Sequence, residues 1–332
     1  MSRDVLCIPR KHLVFLKIHK AASSTVLNIL YRYGEARNMT LALPFYNHLG
    51  CPKLFKATYV KDFDKNSSKE YNILCNHMKF NLPEVKKVMP RQSSYFTILR
   101  NPNKLAESAC SYFHTMTPAF REAKSLDRLL SRPDTFYKLS RTKDHYARNL
   151  MWFDLGQDPN AQDDPDYVNN TLLELERTFH LVMLAEYFNE LLVLLREALC
   201  WQMEDMVYIK LNVPQSSSVS GLPPTTSSKL QEWNSLGWIL DRHFNSSFWQ
   251  RVAHYGQSGQ DAARRLLPPE TPPPTLGHLP PREGGYQCCA DGFGADEILR
   301  RFLMVEQEHM VCSITPLLLV SSKIKKSSRM RV

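Results

Sequence analysis

Between Met1 and Tyr33 the chain has no glycine. The nucleoside-triphosphate loop G-x-x-x-x-G-K-[ST] needs glycines so that backbone amides can wrap a phosphate tied to Mg²⁺, so their absence argues against an ATP or GTP hydrolase. Long apolar runs are also missing. The stretch from Leu13 to Ile18 is far too short to cross a bilayer, and nothing near Met1 reads as a signal peptide. The eight cysteines (Cys7, Cys51, Cys75, Cys110, Cys200, Cys288, Cys289 and Cys312) show neither a disulfide framework nor zinc-ligand spacing, and no metal is expected. No basic block is interleaved with aromatics ahead of the C-terminal tail, which argues against nucleic acid as a partner. That tail, with Lys323, Lys325, Lys326, Arg329 and Arg331, reads as a solvated terminus.

What is present is positive charge and room for a core. Lys and Arg outnumber Asp and Glu by 42 to 33, a net charge of +9 that suits an anionic ligand. A chain of 332 residues buries a full core, and one large α/β domain is expected. Four sequons, opened by Asn38, Asn66, Asn169 and Asn245, fit a secretory lumen but carry small weight, because chance produces several in a chain of this length.

The densest signal is the junction from Leu13 to Leu30, an apolar strand joined to an amphipathic helix through a turn rich in Lys, His, Ser and Thr. A helix start offers unpaired backbone N–H groups and the positive end of a dipole. Ser23, Ser24 and Thr25 add hydroxyls, and Lys17 and Lys20 add charge. The junction is suited to phosphate. Tyr95 to Leu99 forms a second β-prone run, followed by Arg100-Asn101-Pro102 and a helix over Lys104 to Phe113 that Asn101 caps. A third strand begins at Tyr71 and ends near His77. In open parallel sheets, ligands sit beyond the carboxyl ends of the strands, and Lys17 to Lys20, His77 and Arg100 all fall at such ends.

The pattern His19-Lys20-Ala21-Ala22-Ser23-Ser24-Thr25 closing a strand resembles the 5′-phosphosulfate loop of carbohydrate sulfotransferases, and among these it is most similar to the galactose 3-O-sulfotransferases. The resemblance implies the sulfotransferase fold, a P-loop-like parallel sheet flanked by helices. It also implies 3′-phosphoadenosine-5′-phosphosulfate (PAPS) as donor and a galactose-terminated glycan or glycolipid as acceptor. By resemblance Lys17, Lys20, Ala21, Ser23, Ser24 and Thr25 hold the 5′ side of the donor, and Arg100 with Ser108 holds its 3′ phosphate. Lys20 stabilises or protonates the leaving oxygen. His77 is the expected general base, since a neutral imidazole accepts a proton near physiological pH, and His19 is the competing choice.

The block Ala147 to Gly156 also resembles the galactose enzymes, and Trp152 and Phe153 within it are acceptor candidates at even odds against plain packing. Leu230, Trp233, Leu240 and Phe244 are read as core, and His114, His145 and His243 as structural. Further along, Phe179 to Ala185 reads as a buried strand, Glu186 to Leu199 as a helix, Met206 to Leu211 as a short strand, and Lys229 to Phe244 as a helix. Residues Pro214 to Ser228 read as a loop, and the resemblance implies that it closes over the donor, with Ser216 to Ser220 touching it.

The resemblance covers residues 10–255, taken as the sulfotransferase domain. Residues 256–294 form a Pro-rich divergent linker, and 295–332 a C-terminal helix with the basic tail. The family's Golgi membrane setting is expected, although the chain starts almost at the donor loop without an anchor. A catalytically inactive or truncated isoform is therefore one alternative, and a P-loop small-molecule kinase the other.

Overall fold

The computed structural model describes residues 7–161, 164–208 and 222–255. The expected segments 256–294 and 295–332 and the Ser216 to Ser220 loop lie outside these residues, as do Cys288, Cys289 and Cys312.

Four parallel strands form the central sheet: β1 (Leu13–Leu16), β2 (Ile73–Leu74), β3 (Ser94–Leu99) and β4 (Leu181–Leu184), in the order β2-β1-β3-β4. Every residue of β1 and β4 is buried, as in a parallel sheet covered on both faces. The register sets Leu13 beside Ile73 and Ser94, and Leu99 beside Leu184. The chain leaves β1 toward β2 on one side and returns to β3 on the other. The point where a ligand crevice opens in such a sheet therefore lies between the carboxyl ends of β1 and β3.

Helix α1 (Ser23–Ala36) follows β1, α2 (Leu82–Val88) links β2 to β3, and α3 (Pro102–Phe113) follows β3. Asn101 caps α3 as its sequence predicts, its side-chain oxygen accepting from the amides of Asn103 and Lys104, with Pro102 in the first turn. The short helices α4 (Pro118–Ala123), α5 (Leu126–Ser131), α6 (Pro133–Phe136) and α7 (Leu150–Asp154) lead to α8 (Pro165–Thr178) and β4. Then come α9 (Phe188–Leu199), α10 (Pro224–Trp233) and α11 (Ser235–His254). One continuous apolar core runs from β1 through α11.

Two expected elements differ. The single helix over Lys229 to Phe244 is divided at Asn234, whose side-chain oxygen accepts the Asn149 amide at 2.6 Å, fixing a non-helical residue between α10 and α11. The strand expected from Met206 is instead the end of a 3₁₀ turn, Met203–Met206, which Gln202 and Asp205 hold by a reciprocal capping box. Residues 209–211 of that expected strand are not among those described.

Cys7 and Cys200 form a disulfide with Cα atoms 5.5 Å apart, tying the segment before β1 to the end of α9. Cys51, Cys75 and Cys110 take part in no disulfide among the described residues.

Candidate active site

The loop between β1 and α1 turns sharply without glycine. Lys20 and Ala22 take left-handed backbone angles, φ 60° and φ 55°, which cost a side-chain-bearing residue about 1–2 kcal/mol each. Three contacts offset this. An Arg100 guanidinium N–H donates to the Lys20 carbonyl at 2.7 Å, the Ser23 hydroxyl donates to the Ile18 carbonyl at 2.6 Å, and the His19 amide donates to an Asp154 oxygen at 2.7 Å. Among the described residues no side chain caps α1, whose start carries the kind of backbone donors that bind anions at helix N-termini.

The hydroxyls differ from expectation in one respect. Ser23 is buried and its proton goes to Ile18, so this hydroxyl is part of the loop's scaffold rather than a free donor to phosphate. Ser24 is partly exposed, while Ala21 and Thr25 are buried. Lys20 extends its ammonium over the Tyr112 ring, 3.8 Å from the centroid, a cation–π contact with the far end of α3.

His77 lies beyond β2. Its Nε2 accepts from the Lys17 ammonium at 2.7 Å and its Nδ1 donates to the Lys17 carbonyl at 3.0 Å, which is the bonding pattern of a neutral ring. Burial, then the neighbouring His19 and Lys17, hold its pKa well below the ordinary histidine value. The His19 ring stacks on His77 with centroids 3.9 Å apart. His48, which the sequence does not single out, sits beside them: it bridges His77 in parallel register, and the next amide, of Leu49, donates to the His77 carbonyl at 2.7 Å. Burial and then His19 lower the His48 pKa as well.

Lys17, His19, Lys20, His77 and Arg100 thus meet across the ends of β1, β2 and β3 through direct contacts. Ser108 is farther along α3, partly buried, and its hydroxyl has no hydrogen-bond partner among the described residues. Arg100 is partly buried, and burial lowers its pKa while Glu186 and Glu107 oppose that shift. Glu186 also accepts the Asn101 amide at 3.0 Å, so a carboxylate anchors the turn that presents the guanidinium.

Trp152 and Phe153 require correction. Trp152 has no exposure and Phe153 is 4% exposed, because both occupy the core side of α7, so neither ring offers a face to an acceptor. Trp152 packs edge-on against Tyr167, and Phe153 stacks on His145. The block reaches the site through Asp154, the residue that the sequence reading passes over. Asp154 is fully buried and binds both the amide and the ring Nδ1 of His19. Gly156 lets it come this close. With φ +92°, a Cβ there would lie 2.2 Å from the Phe80 carbonyl oxygen, while the Phe80 amide donates to the Asp154 carbonyl at 2.9 Å.

Of the histidines read as structural, His114 bonds the Ser111 carbonyl, His145 the Thr142 carbonyl, and His243 the Glu176 carboxylate. Leu230, Leu240 and Phe244 are buried and Trp233 is partly buried against the core, in keeping with the packing reading. Among the described residues no cluster of His, Cys, Asp and Glu is arranged to hold a metal ion, and no helix is long and apolar enough to cross a membrane.

A family model described as galactose-3-O-sulfotransferase matches residues 2–267. The chain is 49% identical over 249 residues to galactose-3-O-sulfotransferase 2 of Mus musculus, covering 74% of this chain and 63% of that protein. It is 49% identical over 247 residues to the Homo sapiens protein of the same name, covering 74% and 62%. To the galactosylceramide sulfotransferase of Homo sapiens it is 41% identical over 255 residues, covering 76% and 60%. The chain therefore spans somewhat under two thirds of the length of these relatives.

Proposed function

The chain belongs to the galactose-3-O-sulfotransferase family, and from that premise we propose that it moves a sulfuryl group from PAPS to the 3-hydroxyl of a terminal β-galactose on a glycolipid or glycoprotein glycan. The observation that carries the reading is the junction of Lys17, His19, Lys20, His77 and Arg100 at the switch point of the sheet, with Arg100 bonded to the loop that presents Lys20. A doubly phosphorylated nucleotide offers two anionic groups, and this reading assigns the β1–α1 loop to one and Arg100 to the other.

Each residue then has a task. The first turn of α1, with Lys17 and the hydroxyls of Ser24 and Thr25, binds the 5′ phosphate, and Arg100 with Ser108 binds the 3′ phosphate. Sulfuryl transfer breaks the bond between sulfur and the bridging oxygen while the acceptor oxygen bonds to sulfur. Lys20 stands at that bridging oxygen and neutralises the charge that grows there. His77 takes the proton from the acceptor hydroxyl. Its Nε2 is engaged by the Lys17 ammonium, so drawing Lys17 toward the bound phosphosulfate frees the base, and the donor therefore binds before the base can act. A Golgi lumenal setting belongs to the same reading and is supported by the Cys7–Cys200 disulfide, a bond that persists in oxidising compartments.

The test is calorimetric binding of adenosine 3′,5′-bisphosphate to the purified protein and to Lys20→Ala and Arg100→Ala, followed by incubation with radiolabelled PAPS and a panel of galactosides. Weakened binding in both variants with the fold intact, and label on galactosides, is the expected result. Unchanged affinity in both variants removes the donor site, and label on no galactoside removes the acceptor assignment.

A further inference from the structure

Within the described residues the Asp154 carboxylate has one hydrogen-bond partner, His19. Its Oδ2 accepts the His19 backbone N–H at 2.7 Å, and Nδ1 of the same residue lies 2.8 Å from Oδ1 and 3.0 Å from Oδ2. A carboxylate only accepts, so the ring presents Nδ1–H to it, and Nε2 is the His19 nitrogen with no protein partner among the described residues. The ring is confined on its other sides as well. It lies parallel to His77 at 10°, while Tyr146 and Phe113 meet it edge-on at 5.3 Å and 6.2 Å.

Burying a carboxylate at zero exposure costs several kcal/mol of lost hydration, and an apolar side chain would seal α7 against the loop without that cost. The charged group is therefore explained by what it holds: the amide before the left-handed Lys20 and the ring stacked on His77. We propose that Asp154 is a positioning residue for sulfuryl transfer, fixing the Nδ1–H tautomer and the plane of His19 and, through the stack, the orientation of His77. This rests on the sulfotransferase reading and adds to it the group that sets the two histidines. Asp154 does not touch substrate; His19 Nε2 is the nitrogen it leaves for one.

The experiment is Asp154→Asn in the full chain, with His19→Gln and the double variant. The carboxamide is isosteric: its oxygen keeps the His19 amide, and its NH₂ then meets Nδ1 and forces the Nε2–H tautomer. Expected are a fall in kcat of at least about a hundredfold, adenosine 3′,5′-bisphosphate affinity within about threefold of wild type, and a switch of the His19 ring tautomer in ¹⁵N spectra. The double variant should be no slower than His19→Gln alone, because Asp154 acts only through that ring. A kcat for Asp154→Asn within about threefold of wild type overturns the proposal, and so do losses that multiply in the double variant. If Asp154→Asn does not fold, the wild-type spectrum still decides: His19 observed as the Nε2–H tautomer sinks the idea. Failure of the sulfotransferase reading is separate, since it appears as wild type that transfers sulfate to no galactoside while the tautomer measurement stands.

Discussion

The rings of His19 and His77 lie nearly parallel, 3.9 Å between centroids, although one belongs to the loop after β1 and the other to the segment after β2. The stack joins the proposed donor-binding loop to the proposed base. Lys17 reinforces the joint from the same loop, with its ammonium on one nitrogen of His77 and its carbonyl on the other. The loop after β1 and the segment after β2 are thereby held to each other by side-chain and backbone contacts.

The first prediction concerns which histidine takes the proton. His77→Ala should keep adenosine 3′,5′-bisphosphate affinity and slow sulfate transfer by about a hundredfold or more, the range for loss of a general base. Single-turnover rates with PAPS and a galactoside check this. Full turnover in His77→Ala together with none in His19→Ala would move the role to His19.

Gly156 gives a second prediction. Alanine there meets the Phe80 carbonyl at 2.2 Å in a left-handed backbone, so Gly156→Ala should lose about 2 kcal/mol or more of stability and displace Asp154 from His19. Urea unfolding and turnover measure the two effects. Wild-type values for both would mean that the close approach is not required.

Acid should destabilise the protein across a defined window. Burial pushes the His145 pKa down to about 4, and burial first, then neighbouring charge, lowers those of His77 and His48. Between the unfolded histidine value of about 6.5 and these lowered values the unfolded chain binds more protons, so stability is full above that upper value and is lost as pH falls through the window. Melting temperatures measured from pH 7 to pH 4 should decline. A flat profile would contradict the neutral state of these rings.

Reduction of the Cys7–Cys200 bond should lower the melting temperature, since a loop closed over 193 residues removes up to about 5 kcal/mol of unfolded-state entropy. The bond lies at the amino end of β1, away from the loop that carries Lys20. Bisphosphate affinity below the new melting point should therefore stay the same. Calorimetry with and without reductant tests both halves, and a change in affinity without a change in melting would refute the assignment.

Much of the frame was legible because it rests on local rules. The apolar run of β1, the strand before Arg100 and the Asn101 cap of α3 depend on neighbours a few residues apart, and each was found close to its expected place. The absence of glycine sets the loop apart from the triphosphate motif, yet it conceals the left-handed turn that Lys20 and Ala22 adopt under constraint from Arg100, Ser23 and Asp154. In the block Ala147 to Gly156 the two aromatic rings are buried, and Asp154 is the residue that reaches His19. Nothing in a helical stretch of five residues tells which side faces the core until its packing partners are known. Asp154, Tyr112 and His48 went unnoticed for the same reason, because their partners lie in other segments of the chain.

The order of residues alone determined strands β1, β3 and β4, the capped start of α3 and the supply of cations at strand ends, since hydrophobic period, capping and charge are properties of short stretches. Only the folded sheet decided that Lys17 would close on His77, that Arg100 would grip the Lys20 carbonyl, and that a buried aspartate would choose one histidine. Those choices depend on register and on the close approach allowed at Gly156, which bring together groups that no local pattern connects.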